Sequence, residues 1–521
     1  MKNILLLLVL GSLIAAGCNK SLLDTEPNDR YVESNFWTSP EAVNAALTGC
    51  YAYLRNTGVF GTDAVALWEE TASPNAYNYS NSISFNSVAK GQQSATVGGI
   101  VSSRWSGCFG GIGRCNTFLV KSDEVEMDET QKDKMKAEAK LLRAFYYFML
   151  QCYYGDVPLI LEAPDRDTQS DLPGTPRVEV IQQVLKDLDE AAALLPVKYA
   201  AGNNGRATKG AALGLKARVL LFEASPLLNS GNDAAKWKAA ADAAKAVIDM
   251  APQAGYGLFA NYRNLFLPAN ENNTEVLMDV QYMYPDQGNS FDLICRQYNT
   301  NAPLLDLVNA YDMKNGLPIT DPASGYSAAT PFANRDARMY ATVVYPGDTF
   351  MNVKVTPARF AITGFGMKKY SIYDKGPSPA SQSDLKDGQS ETNFIILRYA
   401  DILLMYAEAQ NEFSGPDASV YDALNKVRTR AGMPVIAAGA TKEKLREIIR
   451  HERRIEFAGE ALYYNDIRRW KTAEKELNAT IQKYDGSGIE SRKFNPSRDY
   501  WWPIPQTQLD LNPQLKQNTG Y

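Results

Sequence analysis

The 521-residue chain has a single histidine, His451, and only six cysteines. That scarcity removes whole classes of chemistry. His451 sits in "IIRHERRIEF" ahead of Glu452, but no second histidine follows at the spacing of a helical zinc-protease motif. Cysteine and histidine together are too few for a zinc site. A Ser-His-Asp triad would have to use His451, and no G-x-S-x-G elbow is present to supply its serine. "FGGIGR" has glycines but neither a Gly-Lys-Ser/Thr sequence nor a preceding strand, so it is no nucleotide fingerprint. His451 reads as a surface or interhelix residue, and no cofactor or metal is expected.

Excess positive charge is also lacking. Net charge is −5, with basic and acidic residues interspersed. That excludes the basic stripe of a nucleic-acid binder. Past the first residues no apolar run approaches membrane length. "IILRYADILLMYAEA" carries Arg398, Asp401 and Glu408 and reads as a buried helix. Cys108 and Cys115 fall seven apart in an expected helix, roughly 10 Å along its axis, too far for a disulfide. The cysteines other than Cys18 read as small apolar core residues.

What is present begins with Lys2, an apolar run from Ile4 to Val9, and the small residues Ala15, Ala16 and Gly17 before Cys18. This is the layout of a secretory signal, too short to span a bilayer. The cysteine after Ala-Ala-Gly resembles the lipobox of bacterial lipoproteins, with Ala15 where leucine is usual. Cleavage would make 1–17 a signal peptide and leave a lipid-modified Cys18; the alternative is an ordinary signal with a chance cysteine.

Much of the remainder reads as paired amphipathic helices. "SPEAVNAALTGCYAYLR" has Ser39 as N-cap and Pro40 at the first helical position. "ETQKDKMKAEAKLLRAFYYFMLQCYYGDVP" is a long helix stopping near Gly155 and Pro158. "TKGAALGLKARVLLFEASPLL" and "DAAKWKAAADAAKAVIDM" form a hairpin across "NSGN". Small residues alternate with aromatics, as in Ala139, Ala144 and Tyr147, or Ala400, Tyr406 and Ala407. That is the style of tetratricopeptide-type hairpins; an irregular bundle is the competing architecture. Between Met250 and Thr392 the pattern breaks into turns and strand-like runs such as "TEVLMDVQYMY" and "MYATVVY". A second loop-rich stretch is "KYDGSGIESRKFNPSRDYWW". The expected fold is mainly α: a helical scaffold over 36–250 and 393–480, an irregular insert over 251–392 and a tail over 481–521.

The irregular parts are rich in aromatics and amides. "LWEETASPNAYNYSNS" offers Trp68, Tyr77 and Tyr79 among Asn75, Asn78 and Asn81; further on come Tyr282, Tyr284, Tyr298 and Asn299. Ring faces stack on the C–H faces of sugars while amides bond hydroxyls, so the pattern suits an oligosaccharide; it also suits a peptide. Each aromatic could equally be core filler. Glu69 and Glu70 beside Trp68 raise a glycosidase reading, but such enzymes need two carboxyls about 5–9.5 Å apart across the substrate.

The segments "FWTSPEAVNAALTGCYAYLR", "RWSGCFGGIGRCNTFL", "EAKLLRAFYYFMLQCYYGDVPLI", "ILRYADILLMYAEAQNE", "RHERRIEFAGEALYYNDIRRW" and "WPIPQTQLDLNPQLKQNTGY" together resemble the SusD/RagB family of nutrient-binding lipoproteins of Bacteroidetes-type bacteria. The tail departs at Thr519, where proline is usual, and no acidic cluster follows Cys18. The resemblance implies a non-catalytic protein, lipid-anchored through Cys18 at the outer membrane and facing the cell exterior. It implies capture of an oligosaccharide, or in a minority of relatives a peptide, for a SusC-like TonB-dependent outer-membrane transporter. By position it points to Trp68, Tyr77, Tyr79, Trp105, Tyr282, Tyr284 and Tyr298 as ligand contacts, with Asn78 and Asn299 beside them. Glu456, Arg453 and Arg468 are expected to form interhelical charge pairs.

Overall fold

The computed structural model describes residues 36–200, 202–372 and 387–521. The expected signal segment and Cys18 lie outside the described residues.

Ser39 caps α1 (Pro40–Ala52), its hydroxyl accepting from the Ala42 N–H at 3.3 Å, with Pro40 in the first turn. Beyond it run α2 (Ile100–Lys121), α3 (Glu129–Tyr153), α4 (Arg177–Leu194), α5 (Lys209–Ala224) and α6 (Ala234–Ala254). After the irregular part come α7 (Tyr399–Ser414), α8 (Ala418–Arg430), α9 (Lys442–Glu456) and α10 (Tyr463–Arg469). Each helix from α2 to α8 packs on the next, and α6 and α7 bring the two halves of the scaffold together. The fold is mainly α, built of successive helix hairpins. Small residues permit the close approach: a Cβ on Gly111 of α2 would lie 2.6 Å from the ring of Tyr146 on α3.

Short strands tie the irregular part to this scaffold. β1 (Ala76–Tyr77) pairs antiparallel with β3 (Ala302–Pro303). β2 (Val276–Val280) pairs antiparallel with β4 (Phe394–Arg398), whose end runs straight into α7. The strand expected in "TEVLMDVQYMY" is therefore present. "IILR", expected as helix, is strand instead: all five residues of β4 are buried, and a wholly apolar run has no periodicity to separate the two. "MYATVVY" is mostly helix, over Ala337–Thr342, because the Asp336 carboxylate accepts from the Arg338 N–H and caps it; only Val343–Val344 is extended. The loop-rich tail stretch holds a hairpin, β5 (Thr480–Gln482) with β6 (Gly488–Ser491).

The five described cysteines are free and buried, and burial pushes the Cys108, Cys152 and Cys295 thiols up to about 12. They are core residues. No described helix is long and apolar enough to cross a membrane.

Charge locks the C-terminal half. Arg398 bonds Glu275 and Glu456 at 2.7 Å each through Nη1, and Glu460 at 2.7 Å through Nε. Arg338 and Arg428 share Glu452, at 2.5 and 2.7 Å. Arg453 bridges Asp401 at 2.8 Å and Asp466 at 3.2 Å. The expectation for Glu456 and Arg453 holds. Arg468 differs: its guanidinium donates to the Tyr500 carbonyl and to Asn465 Oδ1 and lies 5.0 Å over the Tyr464 ring. It finds its partners in carbonyls and rings rather than in a carboxylate.

Candidate ligand-binding surface

The nine residues singled out by sequence divide by burial. Trp68 is 8% exposed, and its indole N–H donates to Thr300 Oγ1 at 2.8 Å. Trp105, on α2, is 3% exposed and meets Tyr154 edge-on with centroids 5.2 Å apart. Tyr282 is buried too, donating to the Gly61 carbonyl at 2.6 Å and packing on Phe291. These three rings have no free face; as the chain stands they fill the core. They lie on helices or strand ends whose neighbours close over them.

Tyr77, Tyr79 and Tyr298 behave differently. Tyr79 and Tyr298 are 41% and 47% exposed, and the Tyr79 hydroxyl donates to the Tyr298 carbonyl at 2.8 Å. Tyr77 is half-buried on β1, opposite Ala302 of β3, four residues past Tyr298. The pairing thus brings one loop from each end of a 220-residue stretch of sequence onto a single surface. Tyr284 is also exposed, but on a separate turn closed by the Met283–Gln287 bridge.

The surface is held from below. Arg492 is buried and donates to the Ser73 and Ala76 carbonyls at 2.6 and 2.9 Å, pinning the approach to β1. The Leu304 N–H donates to the Asn75 carbonyl, extending the β1–β3 pairing, and Arg454 Nε donates to Asn75 Oδ1 at 2.9 Å. After Tyr79 the chain turns through Asn81, Ile83 and Ser84, all with positive φ. For β-branched Ile83, at φ +43°, that conformation is strained. Gly99 is what allows it: a Cβ there would lie 2.6 Å from the Ile83 carbonyl oxygen.

Asn78 and Asn299 are buried directly beside the tyrosines. Asn78 Oδ1 accepts from the Ser80 hydroxyl at 3.0 Å, whereas its Nδ2 has no partner; Asn299 Nδ2 donates to the Phe365 carbonyl at 2.9 Å, whereas its Oδ1 has none. An unpartnered donor and an unpartnered acceptor thus sit under the exposed rings. Buried polar atoms are rarely left so.

Two rim residues escaped the sequence reading. Glu490 on β6 lies 3.4 Å from the Tyr77 hydroxyl and 3.8 Å from Lys90 Nζ. Burial, then Glu490, raises the Tyr77 hydroxyl pKa. More than four hundred residues separate Tyr77 from Glu490, so no local pattern could join them.

Neither carboxylate of the glycosidase reading reaches this surface. Glu69 is buried, bonded to Arg104 at 3.0 Å and to the Tyr153 hydroxyl. Glu70 is buried as well, accepting from Asn75 Nδ2 at 2.6 Å and from the Ala461 N–H at 3.1 Å. Both carboxylates are engaged in holding the segment that leads to β1. His451 lies on α9 with Nε2 3.4 Å from Asp312 Oδ1, as its structural reading requires.

The SusD family model matches residues 270–521, and a second, described as starch-binding and associating with the outer membrane, matches residues 22–221. A SusD-like protein of Bacteroides ovatus is 27% identical over 90% of this chain and 83% of its own. A SusD-like protein of Bacteroides fragilis superposes with a TM-score of 0.81 at 26% identity, covering 95% of this chain and all of the other. A second from the same species, described as a SusD-like carbohydrate-binding protein, gives 0.80 at 28% identity over 92% of this chain and all of its own. With family models matching residues 22–221 and 270–521 and the fold matching over 92–95% of the chain, the chain belongs to the SusD/RagB family.

Proposed function

We propose that this protein captures an oligosaccharide on the surface made by Tyr77, Tyr79 and Tyr298 and catalyses no reaction on it. The carrying observation is the Tyr79–Tyr298 contact, which ties the half-exposed Tyr79 ring to the backbone that carries the half-exposed Tyr298 ring. Aromatic faces held in place stack on the apolar faces of sugar rings with little ordering cost. Asn78 Nδ2 and Asn299 Oδ1 supply a donor and an acceptor for hydroxyls once ligand contact shifts the covering backbone. Tyr284 serves as an outlying contact for a longer chain. Trp68, Trp105 and Tyr282 act behind the surface by setting its shape.

The insert over 251–392 supplies one side of the site and the scaffold the rest. Lipidation at Cys18 holds the protein on the outer face of the outer membrane, where it delivers ligand to a SusC-like TonB-dependent transporter. Relatives described as carbohydrate-binding or starch-binding support the ligand class. The test is calorimetric titration of the purified full chain against plant, host and microbial oligosaccharides, with peptides as a second panel. Micromolar to millimolar affinity, about −8 to −4 kcal/mol, for one glycan class, weakened in Tyr298→Ala, is the expected result. Binding of peptides alone would move the protein to the peptide-binding branch of the family, and silence on both panels would reject the proposal.

A further inference from the structure

A cleft of about 460 Å³ opens where the C-terminal tail crosses the ends of the first helices. Its volume falls in the range of small-ligand sites, about 300–1,000 Å³. Two other cavities among the described residues, about 110 and 210 Å³, fall below it. Trp501, Arg177, Lys471, Arg498, Asp156 and Asn518 are among its lining residues. Trp501 is half-buried, unlike its neighbour Trp502, which is wholly enclosed.

The charges around the cleft are unequal. Asp156 supplies one carboxylate, and it accepts from the Arg177 N–H at 2.8 Å. Arg177 pairs with Glu223 at 2.5 Å, yet its Nε has no hydrogen-bond partner although it is shielded from solvent. Arg498 pairs with Asp499 at 2.6 Å. Lys471 is exposed, with its ammonium 5.6 Å over the Tyr500 ring and no carboxylate partner among the described residues. Arg177 and Arg498 are thus balanced by Glu223 and Asp499, and the charge left to a ligand is the unpaired Lys471 ammonium; with the Trp501 indole, which the Arg177 guanidinium approaches at 5.9 Å, it forms a receptor for a ring bearing negative charge.

We propose that this cleft binds the anionic substituent of an acidic saccharide, a carboxylate or a sulfate ester, with the sugar ring against Trp501 and the anion between Lys471 and Arg177. The choice of a saccharide rests on the function proposed above; the choice of an anion rests on the cleft alone. The cleft is also joined to the tyrosine surface. Arg498 donates to the Gly91 carbonyl, and Lys90, next to Gly91, is the residue that meets Glu490 beside Tyr77. The tyrosine surface and the cleft are therefore linked through the Lys90–Gly91 backbone.

The experiment titrates the full chain with tetragalacturonate, its fully methyl-esterified form and a sulfated galactose tetrasaccharide. The wild type should favour at least one acidic probe over the ester by about tenfold, the scale of one charge-assisted hydrogen bond. The arm that binds identifies carboxylate or sulfate. Lys471→Gly and Trp501→Ala should each erase the preference, the first at the wild-type melting temperature and the second in a protein that melts lower, because Trp501 packs against the core, but is still folded at the temperature of titration. Lys471 already has φ +56°, a conformation glycine adopts freely, so the first variant should fold; Lys471→Gln serves as its replacement. Tyr298→Ala should weaken binding of neutral glycans and leave the acid preference in place, which separates failure of this site from failure of the tyrosine surface. No preference for either acidic probe, or a preference that survives in folded Lys471 and Trp501 variants, overturns the proposal.

Discussion

Asp401 on α7 and Asp279 on β2 are both buried carboxylates, and the two regions that hold them treat them in opposite ways. Burial alone would raise Asp401, but Arg218 and Arg453 pull it down to about 2. Glu408, about two helical turns further along α7, is likewise brought to about 2 against its burial, chiefly by Arg469. Among the described residues the side-chain partners of Asp279 are the amides of Gln281 and Asn393, and burial pushes it up to about 6. Asp292, below the approach to Tyr298, also rises to about 6 through burial, and Glu271 to about 7. On α7 the scaffold neutralises its buried acids with arginine; Glu70, before β1, is the counter-example, bonded to an amide and a backbone N–H and raised by burial. The irregular part leaves several of its own to amides and hydroxyls. The arginine-rich helices hold permanent charge in the core, whereas the irregular part keeps acids that shed or take a proton near neutrality.

The largest effect should come from breaking the arginine lock. Arg398→Met leaves Glu275, Glu456 and Glu460 facing one another in the core. Removing one partner of a buried ion network costs about 3–5 kcal/mol. Guanidinium denaturation should show a loss of that order or an unfolded protein. A loss below about 1 kcal/mol would mean that the lock behaves as a surface pair does.

The second test sharpens the contrast through pH. For Asp279 the folded pKa is raised, so its stabilising contribution is complete below the unfolded value near 4 and is lost as pH climbs through about 6. For Asp401 and Glu408 the folded pKa is depressed. Their contribution is complete above about 4 and is lost as pH falls through about 2. Asp279→Asn should therefore raise stability at pH 8 by on the order of 1–3 kcal/mol and change it little at pH 4. Melting temperature across pH 3–9 reads this directly. Equal gains at pH 4 and pH 8 would remove proton uptake as the cause.

These contrasts also mark what sequence could reveal. Helices with a local start or stop signal, such as α1 at Ser39 and α3 before Gly155, were legible because caps, stops and periodicity are local. The β4 strand was not, since burial on every side erases its period. The site divides along the same line. Tyr77, Tyr79 and Tyr298 lie in turn-rich sequence; the last two stay exposed and Tyr77 is half-buried. Trp105 lies in a regular helix, where an aromatic is core more often than contact. Glu490 and Lys90 were invisible, because only the folded chain brings the tail hairpin to the edge of β1.

The third test moves from stability to affinity. Tyr298→Ala removes an exposed ring, so it should cost within about 0.5 kcal/mol of stability while weakening glycan binding about tenfold, on the scale of an aromatic contact. Trp105→Ala should do the reverse. A buried indole lost from α2 costs about 3–5 kcal/mol, and any change in affinity should follow from misfolding. Calorimetry and thermal melts on the two variants separate them. If Trp105→Ala, at a temperature where it is folded, binds as poorly as Tyr298→Ala, then Trp105 belongs to the ligand surface after all.

The smallest expected effect is the most specific. Tyr79→Phe keeps the ring and removes only the hydroxyl that donates to the Tyr298 carbonyl. An exposed hydrogen bond of this kind contributes about 0.5–1.5 kcal/mol, so melting should shift little. If the bond's role is to hold the Tyr79 ring against the Tyr298 backbone, affinity should fall by a few-fold, and the loss should appear as less favourable binding entropy, because the ligand must then order the loop that carries Tyr79. If affinity is unchanged, the strained turn at Ile83 and the β1–β3 pairing already hold the loop, and its order comes from the backbone rather than from the tyrosine contact.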